Sequence, residues 1–316
     1  MTLGKSSLDS ITPQDHRAGF VAIIGAPNCG KSSLLNRLLG HKLAIVTSKP
    51  QTTRNRILGV VTEKTGQIIF YDTPGIHQSQ KLLNRSMVAQ AKSALADSDV
   101  CLWLVDGLKR GLDHQSALES VLSRGQKPLI VAINKSDLME SADIEAILEE
   151  VCEQIKPDGA AVISAKTGEG LSQLKKLLID KLPVSPALYD EDELTDQSYR
   201  AISAEYIREA VFSLTRQEVP YSTAVTIDSF KEPTDEDRRP LYRIEATIHV
   251  ERESQKKLII GQGGRMVKSI GTKARQGLEE FLETKVFLTI FVRITHDWSE
   301  KEKLLEEFGY LDPDIK

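Results

Sequence analysis

One stretch constrains this chain more than any other: Gly25-Ala26-Pro27-Asn28-Cys29-Gly30-Lys31-Ser32, set between the apolar run Phe20 to Ile24 and the helix-spaced run Ser33 to Leu39. It reads strand, glycine loop, helix. In that setting G-x-x-x-x-G-K-S is a P-loop. Its glycines let backbone N–H groups converge on an anion, the helix points its positive end at the same place, and Lys31 adds a mobile charge. The Ser32 hydroxyl then stands where a Mg²⁺ ion would take a ligand.

The chain has 316 residues, room for two domains that each bury a core. A formal net charge of -4 excludes a protein that coats nucleic acid over its whole surface, while leaving room for a local basic patch. Cys29, Cys101 and Cys152 are too few and too scattered for a disulfide framework or a zinc site, which points to a reducing, cytoplasmic compartment. Residues 1–18 carry Asp9 and Asp15 with no apolar stretch, so they read as a flexible polar arm rather than a presequence. No apolar run approaches the ~18 residues of a membrane helix, so any membrane contact is expected to be peripheral, at the inner face of the cell membrane.

From residue 19 to 182 short β-rich runs alternate with helical patterns, which predicts an α/β domain with a mostly parallel six-stranded sheet. The expected strands are Phe20-Gly25, Ile57-Thr62, Gln67-Asp72, Val100-Asp106, Pro128-Asn134 and Ala160-Ile163. The second and third are too close for a crossover helix and should form a hairpin. Ligands of such sheets bind beyond the carboxyl ends of the strands, where the motif residues fall.

Lys49-Pro50-Gln51-Thr52-Thr53-Arg54 has the makings of a switch loop, in which Thr53 rather than Thr52 closes over Mg²⁺ when a γ-phosphate is present. Asp72-Thr73-Pro74-Gly75 follows the third strand. The Asp72 carboxylate suits Mg²⁺, and the Gly75 N–H suits a γ-phosphate. Asn134-Lys135-Ser136-Asp137 ends the fifth strand. Guanine presents N1–H and an exocyclic amine side by side, and Asp137 can accept from both, whereas adenine has no N1–H. Ser164-Ala165-Lys166 then places the Ala165 N–H near guanine O6, with Lys135 and Lys166 flanking the base. The P-loop positions Gly25, Asn28, Cys29, Gly30 and Ser33 complete the expected nucleotide contacts. Cys29 reads as a small buried filler, the alternative being a thiol activated by the helix N-terminus.

Pro183, Pro186 and the acidic run Asp190-Glu191-Asp192-Glu193 mark residues 183–197 as a solvated linker. Beyond it, residues 198–316 follow a different order: a helix at Tyr199 to Arg216, strands at Tyr221-Ile227 and Leu241-Arg252, a glycine loop, a helix at Arg265 to Leu282, a strand at Lys285-Ile294. Ile244, Ala246, Ile248 and Val250 should face inward, and Arg243, Glu245, Thr247, His249 and Glu251 outward. The tail with Trp298, Leu304, Leu305 and Phe308 should form a short helix packed back on this sheet. Gly261-Gln262-Gly263-Gly264 sits between helices, with Ile260 before it and Lys256, Lys257, Arg265 and Lys268 around it. Between Arg252 and Arg275 seven cations stand against Glu253 alone. A G-x-x-G loop in α-β-β-α-α-β order resembles a type II KH domain, which clamps the backbone of unpaired nucleotides.

The four nucleotide motifs resemble the Ras-like GTPases of the translation-factor branch, and together with the KH-like region they resemble the Era family over nearly the whole chain after residue 18. The resemblance implies a Mg²⁺-dependent hydrolase turning GTP into GDP and phosphate, with Lys31, Thr53 and Gly75 at the reacting phosphate and Ser32, Thr53 and Asp72 at the metal. It implies recognition of the 3′ end of 16S-type ribosomal RNA by a monomer acting in small ribosomal subunit assembly. Ile76 departs from the water-orienting glutamine of Ras, so positioning must carry more of the hydrolysis. In related GTPases with an asparagine at the position of Asn28, a K⁺ ion takes the place of an arginine finger, which implies K⁺ stimulation. Two rival readings stay open: a peripheral membrane GTPase controlling growth or division, and an RNA-binding scaffold whose hydrolysis is incidental.

Overall fold

The structure is a computed structural model that describes residues 16–47, 49, 52–74, 81–109, 125–234 and 239–311. Its first unit is a sheet of β1 (Arg17–Gly25), β2 (Ile57–Glu63), β3 (Gly66–Asp72), β4 (Val100–Asp106), β5 (Leu129–Asn134) and β6 (Gly159–Val162), in the order β2-β3-β1-β4-β5-β6. β2 and β3 form the antiparallel hairpin, and the other neighbours run parallel. A parallel sheet must be covered on both faces. Along β1, Val21 and Ile23 pack toward α1 (Lys31–Leu39) and α4 (Leu171–Lys181), whereas Ala22 and Ile24 pack toward α2 (Leu82–Asp97) and α3 (Ser141–Ile155). With both faces filled, the strand ends at Gly25, Asp72, Asp106 and Asn134 share one rim.

β1 begins inside the stretch expected to be a free arm. Arg17 bridges to Val184, and the Ala18 N–H donates to the Pro183 carbonyl at 3.2 Å. The stretch after Leu182 is likewise attached on either side of its acidic run, while Asp190, Glu191 and Asp192 themselves stand in solvent. The Val60 N–H donates to the Leu194 carbonyl at 2.9 Å, the Thr195 hydroxyl to that of Leu58 at 2.6 Å, and the Gln67 side chain accepts from the N–H groups of Leu188 and Tyr189. These bonds cover the otherwise open edge of β2.

The second unit holds α5 (Tyr199–Leu214), β7 (Ala224–Lys231), β8 (Leu241–Val250), α6 (Glu253–Ile260), α7 (Arg265–Phe281), β9 (Lys285–Ile294) and α8 (Glu302–Glu307). Ser198 starts α5 by accepting the Ala201 N–H, an ordinary N-cap. The sheet order is β7-β8-β9, with β7 and β8 antiparallel and β8 and β9 parallel. Ile244, Ala246, Ile248 and Val250 are fully buried against the helices. On the opposite face Arg243 and Glu245 are exposed, but Thr247 and His249 are buried, contrary to their alternation. Thr247 donates to Asp228 of β7 at 2.7 Å, and the tail covers His249, the Phe308 ring lying 4.4 Å from its own. The same tail reaches further than its own sheet, because Trp298 and Tyr310 pack with Leu83 and Met87 of α2.

Candidate functional site

The P-loop turns back on itself through Asn28 (φ 65) and Gly30 (φ 105). A Cβ on Gly30 would lie 2.4 Å from the Asn134 amide nitrogen, so only glycine allows this approach. Lys31 is buried and its ammonium donates to the carbonyls of Gly25 (2.8 Å) and Ala26 (3.1 Å). Cys29 is fully buried, and desolvation pushes its thiol up, as suits a small buried filler. A cavity of about 330 Å³ opens above the loop, bordered by Asn28, Lys31, Ser33, Thr47, Thr53 and Lys135.

Three oxygen-bearing side chains meet at one corner of that cavity. The Ser32 hydroxyl donates to Asp72 Oδ2 at 2.8 Å, the Thr53 hydroxyl donates to the same oxygen at 3.2 Å, and the two hydroxyls lie 2.9 Å apart. Thr52 instead donates to the Lys49 carbonyl at 2.9 Å, which leaves Thr53 as the threonine of the corner. Asp72 is fully buried, its carboxyl is pushed up by desolvation, and its Oδ1 has no hydrogen-bond partner among the described residues. An orphaned buried carboxylate oxygen beside two hydroxyls suits a small oxygen-seeking dication such as Mg²⁺. Thr73 is tied by its hydroxyl to the Ile23 carbonyl at 2.7 Å and Pro74 is buried beside it. Gly75 and Ile76 lie outside the described residues, as do Pro50 and Gln51.

The other end of the cleft is organised by Asn134. Its amide donates to the Cys29 carbonyl at 2.8 Å and accepts the Ala165 N–H at 2.9 Å, joining three loops. Asp137 accepts from the Ser164 hydroxyl at 2.7 Å and lies 3.9 Å from the Lys166 ammonium. Lys135, at φ 72, pairs with Asp106 at 2.7 Å. Asp106 is a site residue that sequence reasoning missed, although its signal was present: it ends β4, in line with Asp72 and Asn134 at the ends of their strands.

Arg54 was missed as well. It is buried, and its guanidinium donates to the carbonyls of Thr223 (2.7 Å), Tyr221 (2.9 Å) and Pro220 (3.3 Å) between the rings of Trp298 and Tyr310. Arg208, fully buried on α5, donates to the Thr52 carbonyl and to Glu205, and Lys49 donates to the carbonyls of Phe212 and Thr215. The loop carrying Thr53 is thus bonded to the second unit on both sides. Helix α2 is bonded there too, since Ser86 and Gln90 both donate to the Tyr310 carbonyl. No single-sequence signal marks these contacts, because they join residues far apart in the chain.

The second unit's glycine loop follows α6. Gly261, Gly263 and Gly264 have φ values of 70, 61 and 76, and a Cβ on Gly261 would lie 2.7 Å from that of Met266. The loop therefore lies close over the start of α7, with Gln262 and Gly263 in solvent. Lys257, Arg265 and Lys268 are exposed around it, and Lys256 and Ile260 half-buried. From the loop a cleft of about 450 Å³ runs between α7 and β9, with Lys268 and Arg275 on one wall and Phe287 to Ile290 on the other. The β9 wall, too, went unread in the sequence. Among the described residues no helix is long and apolar enough to cross a membrane.

Residues 20–135 match the family model of the 50S ribosome-binding GTPases, and residues 218–299 match that of the KH domain. The chain is 48% identical over 302 residues to GTPase Era of Geobacter metallireducens, covering 93% of this chain and 98% of that one. It is 42% identical over 302 residues to GTPase Era of Pseudomonas aeruginosa, covering 95% and 97%. Two crystal structures superpose at a TM-score of 0.88 with 38% identity, each covering 94% of this chain and 100% of the other. One is Aquifex aeolicus Era bound to GDP and AlF4⁻, and the other is Era with MgGDPNP and nucleotides 1506–1542 of 16S ribosomal RNA. A Ras-like GTPase unit joined to a KH unit, with this degree of likeness over nearly its whole length, identifies the chain as a member of the Era family of GTPases.

Proposed function

We propose that the chain hydrolyses GTP in the α1 cleft, binds the unpaired 3′ end of 16S-type ribosomal RNA on the KH unit, and couples the two through the loop that carries Thr53. Residues 19–182 serve as the nucleotide unit, 183–197 as the connector and 198–316 as the RNA unit. Gly25, Asn28, Cys29, Gly30 and Ser33 present backbone donors to the phosphates, while Lys31, freed from the two loop carbonyls, meets the β- and γ-phosphates. Mg²⁺ fits between Ser32, Thr53 and Asp72, where it neutralises charge on the phosphate oxygens. Thr73, Pro74 and Gly75 bring a backbone donor to the γ-phosphate. Asn134, Lys135, Asp137, Ser164, Ala165 and Lys166 enclose guanine, with Asp137 as the discriminating acceptor. On the RNA side, Ile260 to Gly264 approach the backbone, and Lys256, Lys257, Arg265 and Lys268 supply charge.

The observation that carries the coupling is local: Thr53 touches Ser32 and Asp72, while its neighbours Thr52 and Arg54 are bonded to the KH unit. A ligand that changes the pose of Thr53 must strain or relieve those bonds, and linkage makes the effect reciprocal. RNA affinity measured with GTP analogue and with GDP tests this. We expect about tenfold tighter RNA binding in one state, and equal affinities would rule the coupling out. In this reading the chain acts in the cytoplasm as a monomer, and displacement of RNA by anionic liposomes would favour the membrane reading instead. Asn28, at the mouth of the cleft, is proposed to admit K⁺ beside the phosphates; equal turnover in Na⁺ and K⁺ would remove that ion from the scheme.

A further inference from the structure

The outward face of the second sheet has no part in the reading so far. Along β9 the side chains of Val286, Leu288, Ile290 and Val292 pack toward the helices, which turns Lys285, Phe287, Thr289, Phe291 and Arg293 to the other face. Phe287 and Phe291 are 55% and 53% exposed. Rings scattered singly on a surface mean little, but these two share one face, with Thr289 between them and the cations Lys285 and Arg293 on either side along the strand. Arg243, the register partner of Phe287 on β8, holds its guanidinium 5.9 Å from that ring, and Arg293 follows Phe291 on the same side. The acids nearby are Glu245, opposite Thr289, Glu279, which pairs with Lys285 at 3.4 Å, and Asp228 of β7, which accepts from the hydroxyl of Thr247, the register partner of Phe291, at 2.7 Å.

Part of the rest of this face is covered. His249 and Thr247 are 5% and 3% exposed, with the tail's Phe308 over the imidazole. The tail therefore shields the His249 end of β8 and leaves β9 open, together with Arg243 and Glu245 of β8. That open side adjoins the α7–β9 cleft, because Phe287 and Thr289 also border it, opposite Lys268 and Arg275. β9 is the last strand of its sheet, so nothing within the sheet separates the cleft from the face.

Flat apolar rings flanked by guanidinium groups suit an unpaired nucleic acid strand, whose bases stack on the rings while its phosphates meet the cations. Four residues of strand separate the rings by about 13 Å, enough to seat two bases of one extended strand. We propose that the β9 face is a second, stacking platform for RNA. A strand leaving the Gly261–Gly264 loop follows the α7–β9 cleft, crosses the free edge of β9 and stacks bases on Phe287 and Phe291, with phosphates against Arg243 and Arg293. The platform rests on the RNA reading above and extends it by naming where a longer strand goes.

The test is fluorescence anisotropy on the full chain, loaded with GTP analogue, using unstructured oligoribonucleotides of about five and about twelve nucleotides. The double variant Phe287→Ala/Phe291→Ala should weaken the longer oligomer by about 30-fold and the shorter by less than about twofold. Its hydrolysis of GTP without RNA should be unchanged, which confirms that it folds. Phe291→Trp should retain affinity and lose its indole fluorescence only with the longer oligomer. Lys257→Glu serves as the control on the underlying reading and should weaken both oligomers. If it weakens neither, RNA binding by this loop is wrong and the platform falls with it. If it weakens both while the double variant binds the longer oligomer normally, or loses both lengths equally, the platform alone is overturned. A double variant that binds both RNAs normally but no longer sediments with small ribosomal subunits would make the face a protein contact, and that too overturns it.

Discussion

At the P-loop, Lys31 is buried and its ammonium is held on the carbonyls of Gly25 and Ala26, whereas Lys257 and Arg265 beside the second glycine loop stand in solvent. Both loops use glycine to bring backbone near phosphate. They differ in how many parts of the chain build them. The nucleotide cleft draws on the ends of β1, β3, β4 and β5 and locks them together through Asn134, Asp106 and Asp72. The KH loop is one continuous segment whose neighbours are two helices and an edge strand. A cleft of the first kind selects by fixed donors and acceptors in a low dielectric. A surface of the second kind holds its ligand by charge and contact area, so it should tolerate single changes and respond to salt.

The sharpest way to break this contrast is Asp137→Asn. The carboxylate that accepts from guanine becomes an amide that donates, so GTP affinity should fall by about 1,000-fold while xanthosine triphosphate, which carries an oxygen in place of the exocyclic amine, gains. RNA retention should not change. A titration showing that GTP binds as before would mean that the base is read elsewhere.

On the open face the expected effect is smaller and takes another form. Lys257→Glu with Lys268→Glu should weaken an oligoribonucleotide by about 100-fold near 0.1 M salt and lower the slope of log affinity against log salt by about 1.4. Nucleotide affinity should stay put. A salt slope that survives the double reversal would show that these lysines do not meet phosphate.

Between the two regions lies Arg54, and its removal should act on neither affinity alone. With Arg54→Ala, the proposed tenfold difference in RNA affinity between nucleotide states should shrink to about twofold or less, and Arg54→Lys should restore only part of it, because an ammonium cannot reach three carbonyls in one plane. Unchanged coupling in the alanine variant would place the connection outside this loop, with α2 and Tyr310 as the next segment to examine.

The nucleotide unit was legible because its chemistry sits in short contiguous motifs at strand ends, and alternating β and α patterns fix where those ends lie. Thr53 could be favoured over Thr52 from sequence, and the corner with Ser32 and Asp72 follows that assignment. What sequence left unread shares one property. Arg54 bonds to residues 220–223, Asp106 to Lys135 and Ser86 to Tyr310, each a pairing created only when distant segments meet. The same holds for the outward residues of β8. Alternation assigned the face of His249 correctly, yet periodicity within one strand carries no information about a tail that folds across it and brings Thr295, 46 residues further along the chain than His249, and then Phe308 onto its ring.

That covered histidine supplies the smallest of the predictions and tests whether the tail is a structural part of the coupling. Burial and the nearby Arg293 hold the His249 imidazole down at about 4, from an ordinary 6.5, with Asp228 pulling weakly the other way. Its ring nitrogens lie 3.0 Å from the Thr226 hydroxyl and 2.9 Å from that of Thr295. In the unfolded chain the ring takes a proton as pH falls through 6.5, while in the folded chain it stays neutral until about 4. The unfolded state therefore binds more protons in that window, and stability that is complete above pH 6.5 is lost as acid is added, by about 2 kcal/mol near pH 4.5. Urea midpoints at pH 7 and 4.5 measure it, with His249→Asn expected to show the smaller drop. Because Phe308 lies on this ring and Trp298 and Tyr310 flank Arg54, acid should weaken the RNA–GTP coupling before it unfolds the nucleotide unit. If coupling instead persists down to the pH at which the whole chain melts, the tail's contact with His249 plays no part in holding the Thr53 loop.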